Sequence, residues 1–174
     1  MKKIALLCLL ALPVSAYQYK PGEWLLRGIL GKSVVFVQDP MTQIDTNILT
    51  GLEVEYMVGP KLSVTGAVRP LFAVRSVSLG FGAGAKYRFV NKEVPLISFV
   101  SLQLTPSAYI PTTTGVKSHF NLGLRPTAGF EYFVARDLVL GIEAALNPSF
   151  VMGGGTTNNM EASFEVLASA TWRL

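Results

Sequence analysis

Three sets of residues in this 174-residue chain have types and spacings that could carry chemistry. His119 is the only histidine, so a cluster of histidine metal ligands is impossible, and any Ser-His-acid device must be built around this one ring. Gly80, Gly82 and Gly84 superficially match a phosphate-binding glycine loop. They alternate strictly with Phe81 and Ala83, however, and no amphipathic helix follows, so the strand-turn-helix context for phosphate binding is missing. The third set is a series of charges: Arg27, Arg69, Lys86, Arg88, Arg125 and Arg173 against Glu53, Glu55, Glu131, Glu143, Glu161 and Glu165, six of each sign. What these charges can do depends on the elements that carry them.

Those elements read as strands, because segment after segment alternates residue by residue. In residues 77 to 89, Val77, Leu79, Phe81, Ala83, Ala85, Tyr87 and Phe89 face one way, while Ser78, Gly80, Gly82, Gly84, Lys86 and Arg88 face the other. Residues 48 to 58 set Ile48, Leu52, Val54, Tyr56 and Val58 against a face carrying Glu53 and Glu55. Residues 119 to 132 repeat the pattern with Arg125 and Glu131 on the polar face; Pro126 is a flaw, since proline donates no ladder hydrogen bond. The final segment sets Ala162, Phe164, Val166 and Trp172 against Glu161, Glu165 and Arg173. Weaker alternation at 23 to 36, 62 to 69, 96 to 105 and 138 to 147 completes eight expected strands. Connections are short at 59 to 61, 91 to 95 and 135 to 137, and longer at 37 to 47, 106 to 118 and 148 to 160; a turn at about 70 to 76 is the exception.

Before the first strand, Met1-Lys2-Lys3 precedes an apolar run from Ile4 to Pro13 and a small-residue end at Ala16, which reads as a cleavable export signal over residues 1–16. The expected mature chain, 17–174, is one domain without cysteine, since Cys8 falls in the signal, and this excludes disulfides and thiolate metal sites. Its charge is 13 basic against 11 acidic side chains once Lys2 and Lys3 are removed, so +2, which leaves no nucleic-acid footprint.

Alternation alone does not separate a soluble β-fold from a membrane barrel, but the polar face does. Gly, Ser and Thr punctuated by Arg and Glu would pack poorly as a soluble core and suit the lumen of a barrel whose apolar face meets lipid. Closure leaves no backbone edge in hydrocarbon. Trp24, Tyr56, Tyr87, Phe89, Tyr132 and Trp172 fall near the short-turn ends, where an interfacial girdle is expected. The fold class expected is therefore all-β, a closed antiparallel eight-stranded transmembrane barrel in a bacterial outer membrane, with both termini in the periplasm. Eight strands leave room only for side chains, so the twelve charges are expected to plug the lumen and to exclude a wide porin.

Tyr19-Lys20-Pro21-Gly22-Glu23-Trp24-Leu25-Leu26-Arg27-Gly28, Gly129-Phe130-Glu131-Tyr132-Phe133 and the Trp172-Arg173-Leu174 end resemble the OmpA/OmpW-type small outer-membrane barrels. The resemblance implies a barrel fold, with Trp172 and Leu174 in a C-terminal signal read by the barrel assembly machinery. It also implies contact with outer-membrane lipids, lipopolysaccharide and periplasmic chaperones. Lipid A deacylases of similar shape use a His-x-Ser pair on the lipid side; here Asn121 stands in the serine's place and His119 falls on the inner phase. The expected protein is a non-enzymatic monomer without cofactor, with a structural or surface-interaction role. A rival reading, implied by OmpW-like barrels, is a narrow conduit for small apolar molecules, with Leu25, Ile29, Leu49, Met57 and Val139 lining apolar parts of the lumen.

Overall fold

The structure is a computed structural model and describes residues 18–37, 45–73, 76–90, 95–112, 117–153 and 160–174; the expected leader, residues 1–16, lies outside them. Each alternating segment forms one strand: β1 (Trp24–Val37), β2 (Asp45–Met57), β3 (Leu62–Ala73), β4 (Ser76–Phe89), β5 (Leu96–Pro111), β6 (His119–Phe133), β7 (Leu138–Met152) and β8 (Met160–Arg173). Consecutive strands pair antiparallel, and β1 also pairs β8 from Leu25↔Arg173 to Val37↔Glu161, which closes the sheet into an eight-stranded barrel. Every strand therefore has two partners, and no row of backbone donors faces outward.

Tight turns gather at the end that holds Trp24 and Leu174. There Val58 N donates to Leu62 O at 3.0 Å, and Val134 N donates to Leu138 O at 3.1 Å. At the opposite end, the far end, the strands run beyond the expected boundaries: β3 continues to Ala73, β5 to Pro111 and β7 to Met152. Residues 70 to 73, 106 to 111 and 148 to 152 fall in the expected connections, and a proline stands first in each. The prolines instead stay in the strands and each removes a ladder bond. Pairing skips from Leu49↔Leu71 to Leu52↔Val68 around Pro70, and from Gly80↔Ser107 to Ala83↔Leu104 around Pro106. It skips again from Gly123↔Ser149 to Thr127↔Ala145 around Pro126 and Pro148. The register is the same on both sides of each gap, so the strands continue straight through.

The two faces separate as the alternation requires. Outward positions carry large apolar side chains such as Leu30, Leu52, Phe81, Leu124, Ile142 and Phe150, each at least one-third exposed. Among the outward positions of the described strands, Lys32 is the one charged side chain. Its long methylene stem lets the ammonium reach a polar layer while the stem stays on apolar surface. Aromatic side chains ring the terminal end: Trp24 packs on Tyr56 at 4.9 Å between ring centres and Tyr87 meets Phe89 edge-on at 5.1 Å, while Trp172 stays half-exposed.

Candidate functional site

The inward side chains form three layers along the barrel axis. Nearest the termini lies an apolar seal of Leu25, Met57, Ile97, Phe133 and Val139, into which the segment before β1 inserts Tyr19. The Tyr19 ring is 5.3 Å from that of Phe133, and the Arg88 guanidinium sits 4.2 Å from the Tyr19 ring centre. Its hydroxyl donates to Glu131 Oε2 at 3.0 Å, which ties the seal to the charges above it.

The middle layer is one connected network of ion pairs. Glu53 Oε1 accepts from Arg27 Nη1 at 3.2 Å and from Lys86 Nζ at 3.4 Å, while its Oε2 accepts from Arg69 Nη2 at 2.9 Å and Gln103 Nε2 at 2.8 Å. Lys86 also pairs with Glu55 and, at 3.4 Å, with Glu131. Arg88 Nη2 donates to Glu55 Oε2 at 2.6 Å, and its Nε donates to Glu131 Oε2 at 2.7 Å. Arg27 pairs with Glu143 as well; Arg125 joins Glu143 at 3.1 Å to Glu165 at 2.7 Å. All ten charged side chains are at least nine-tenths buried, five of each sign. Partners on non-adjacent strands, such as Arg88 on β4 and Glu131 on β6, brace the barrel across its lumen.

Two of the twelve expected lumen charges stand apart. Arg173 sits at the terminal rim, where it pairs with Glu23 and donates to Arg136 O at 3.2 Å. Glu161 lies at the far end beside a cavity that His119 also lines. Both have the inner phase, but Glu161 is second and Arg173 last in β8, so they lie beyond the central layer. Of the expected assembly-signal residues, Trp172 points outward, half-exposed, and Leu174 follows the last strand residue with its amide donating to Trp24 O at 2.9 Å.

Several members of the network were not singled out from sequence. Gln103 donates to both Glu53 and Thr65 Oγ1, and Ser63 Oγ donates to Glu55 Oε2 at 3.0 Å. Phe99 lies against the cations, with Lys86 Nζ 4.8 Å and the Arg27 guanidinium 5.5 Å from its ring centre. Its space comes from Gly129, where a Cβ would fall 2.5 Å from Ile142 O and 2.7 Å from the Phe99 ring. The inner phase of β5, which places Ile97, Phe99, Ser101 and Gln103 on one face, is the sequence signal for both Phe99 and Gln103. Tyr19 precedes any periodic segment and carries no such signal.

The residues expected to line an apolar conduit are packed against one another. Leu25, Met57 and Val139 belong to the terminal seal, and Ile29 and Leu49 form a second cluster with Leu167. Above the network the third layer is a cavity of about 410 Å³, bordered by Arg69, Arg125, Asn47, Asn121 and Tyr109 among others. His119 faces it and stacks on Tyr109 with ring centres 4.4 Å apart and planes 14° from parallel. Among the described residues no cluster of three or more His, Cys, Asp or Glu side chains is arranged to hold a metal ion.

No family model and no curated protein matches the sequence. Solved structures do match in shape. Neisserial surface protein A superposes with a TM-score of 0.73 at 14% identity, over 87% of this chain and 97% of that one. Ail, the attachment invasion locus protein of Yersinia pestis, gives a TM-score of 0.60 at 13% identity, covering 88% and 99%. The outer membrane enzyme PagL gives 0.51 at 14% identity, covering 83% and 97%. A surface protein, an attachment protein and an enzyme thus share this architecture, so the fold alone assigns no activity. Together with the closed sheet, its apolar exterior and its charged interior, these likenesses show that the chain has the fold of the small eight-stranded outer-membrane β-barrels.

Proposed function

We propose that the protein is an integral outer-membrane barrel that does not conduct and does not catalyse, and that it serves as a structural or surface-interaction element of the envelope. The observation that carries this reading is the double closure of the lumen. Tyr19, Leu25, Met57, Ile97, Phe133 and Val139 pack together at the terminal end, and five cations locked to five carboxylates fill the middle. A solute crossing the barrel would have to break several buried ion pairs, each costly to open in a low-dielectric interior. The tight turns, the segment that leads into β1 and Leu174 lie at one end, which suits the periplasmic side, and the far end with its cavity then faces outward.

The absence of catalysis in this reading follows from where His119 stands. Its ring is stacked on Tyr109 inside the cavity, away from the lipid face that an acyl-chain substrate would occupy. The test is electrical: refolded protein in a planar bilayer is expected to give no stepwise current, and vesicles carrying it no added solute uptake. Steady conductance whose ion selectivity changes with Arg88→Glu would overturn the sealed reading, and a change in lipid A mass on expression would overturn the non-enzymatic one.

A further inference from the structure

The far-end cavity is built differently from the two layers beneath it. Among the described residues that border it, seven carry serine or threonine hydroxyls and three, Asn47, Asn121 and Asn147, carry carboxamides. Its volume of about 410 Å³ falls within the range of small-molecule sites. Arg69, Arg125 and Glu165 of the charged network border the cavity, and so does the exposed Lys117.

Side chains around this cup have unmet hydrogen-bonding capacity. Ser33 Oγ, Asn47 Oδ1, Asn121 Oδ1 and both Nε and Nη1 of Arg69 are buried without a protein partner, and all four residues border the cavity. Buried polar groups in folded proteins nearly always find a partner, which here must come from the cavity's contents. Arg69 also differs from the other lumen cations. Arg27, Arg88 and Arg125 each pair with two carboxylates and Lys86 with three, but Arg69 pairs with one carboxylate, Glu53, beside a hydrogen bond to Gln103, and Glu53 is shared with Arg27 and Lys86. Among the described residues, the charges bordering the cavity are Arg69, Arg125 and Lys117 against Glu161 and Glu165, with Glu165 held by Arg125 and Arg69 by Glu53. Arg69 thus brings two unpartnered donor atoms, Nε and Nη1, to the cavity's border.

We propose that this cup binds a small polyhydroxylated carboxylate, an acidic sugar or sugar acid, with its carboxylate on Arg69 and its hydroxyls on the Ser and Asn walls. Charge-assisted bonds to the guanidinium fix the anionic end. The Tyr109–His119 stack offers a flat surface to the less polar face of a sugar ring.

Titration calorimetry on the barrel refolded in detergent, with D-glucuronate and D-glucose as probes, tests the assignment. Saturable binding of glucuronate, at least about tenfold tighter than glucose, is expected, and Arg69→Gln should abolish that preference. If the Arg69 variant fails to refold, Ser78→Phe, which fills the cup from its wall, takes its place and should weaken glucuronate by about tenfold or more. Absence of saturable glucuronate binding to the unaltered barrel would mean that water alone meets the unpartnered groups, and would overturn the proposal. So would equal binding of glucose, or affinity unchanged in the folded variant.

Discussion

Replacing Glu53 with Gln removes one negative charge from the middle of the lumen while keeping the side chain's shape to within one atom. Each Glu53 oxygen accepts from two donors, Arg27 and Lys86 on Oε1, Arg69 and Gln103 on Oε2. Whichever way the new carboxamide turns, its NH2 group meets two donors, and three buried cations lose a shared counter-ion. Removing one partner of a buried ion pair costs about 3–5 kcal/mol, and because this carboxylate serves three cations the loss is expected near about 4–5 kcal/mol. Urea unfolding in lipid vesicles, followed by the fluorescence of Trp24 and Trp172 and by gel migration without boiling, measures it. Replacing Glu53 and Arg69 together by Leu should recover part of the loss, since removing both halves of a buried pair is far less costly than stranding one. A Glu53→Gln loss below about 1 kcal/mol, the value of an exposed pair, would refute the reasoning.

Arg173→Gln provides the contrast: its pair with Glu23 lies at the partly exposed rim, so the same unfolding assay should show a loss of no more than about 1 kcal/mol. Gly129→Val overfills the space beside Phe99, and a loss of about 1–3 kcal/mol or failure to refold is expected by gel shift; unchanged stability would contradict the packing described. Leu124→Arg places a charge on the apolar exterior and should cost about 2–4 kcal/mol in a bilayer. A similar loss in detergent would indicate a packing effect instead.

The assignment of faces was legible in sequence because a strand's period of two places every second residue on the same side, as β4 shows from Val77 to Phe89. Strand ends were less legible. Pro70, Pro106 and Pro148 stand just past the expected ends of three strands, yet a barrel tolerates the loss of single ladder bonds when the neighbouring pairs keep register. Periodicity also reports face but not depth, so Glu161 and Arg173 shared the inner phase with Glu165 although they sit at opposite ends of β8. The pairing of Arg88 with Glu131 was beyond reach for a related reason. It joins strands that are not neighbours, and only closure of the barrel and the register around it bring them together. Tyr19 seals the lumen from a segment without any period at all.

The central claim is that the apolar face of this barrel lies in hydrocarbon and the charged face is enclosed. Trp24 and Trp172, the only two tryptophans, both point outward near the terminal end and report on it without any substitution. Their fluorescence in vesicles of brominated lipid is the direct measurement. Strong quenching is expected, greater with bromine near the carbonyl end of the acyl chains than near the methyl terminus, as interfacial tryptophans require. Emission unchanged by either lipid would contradict the claim.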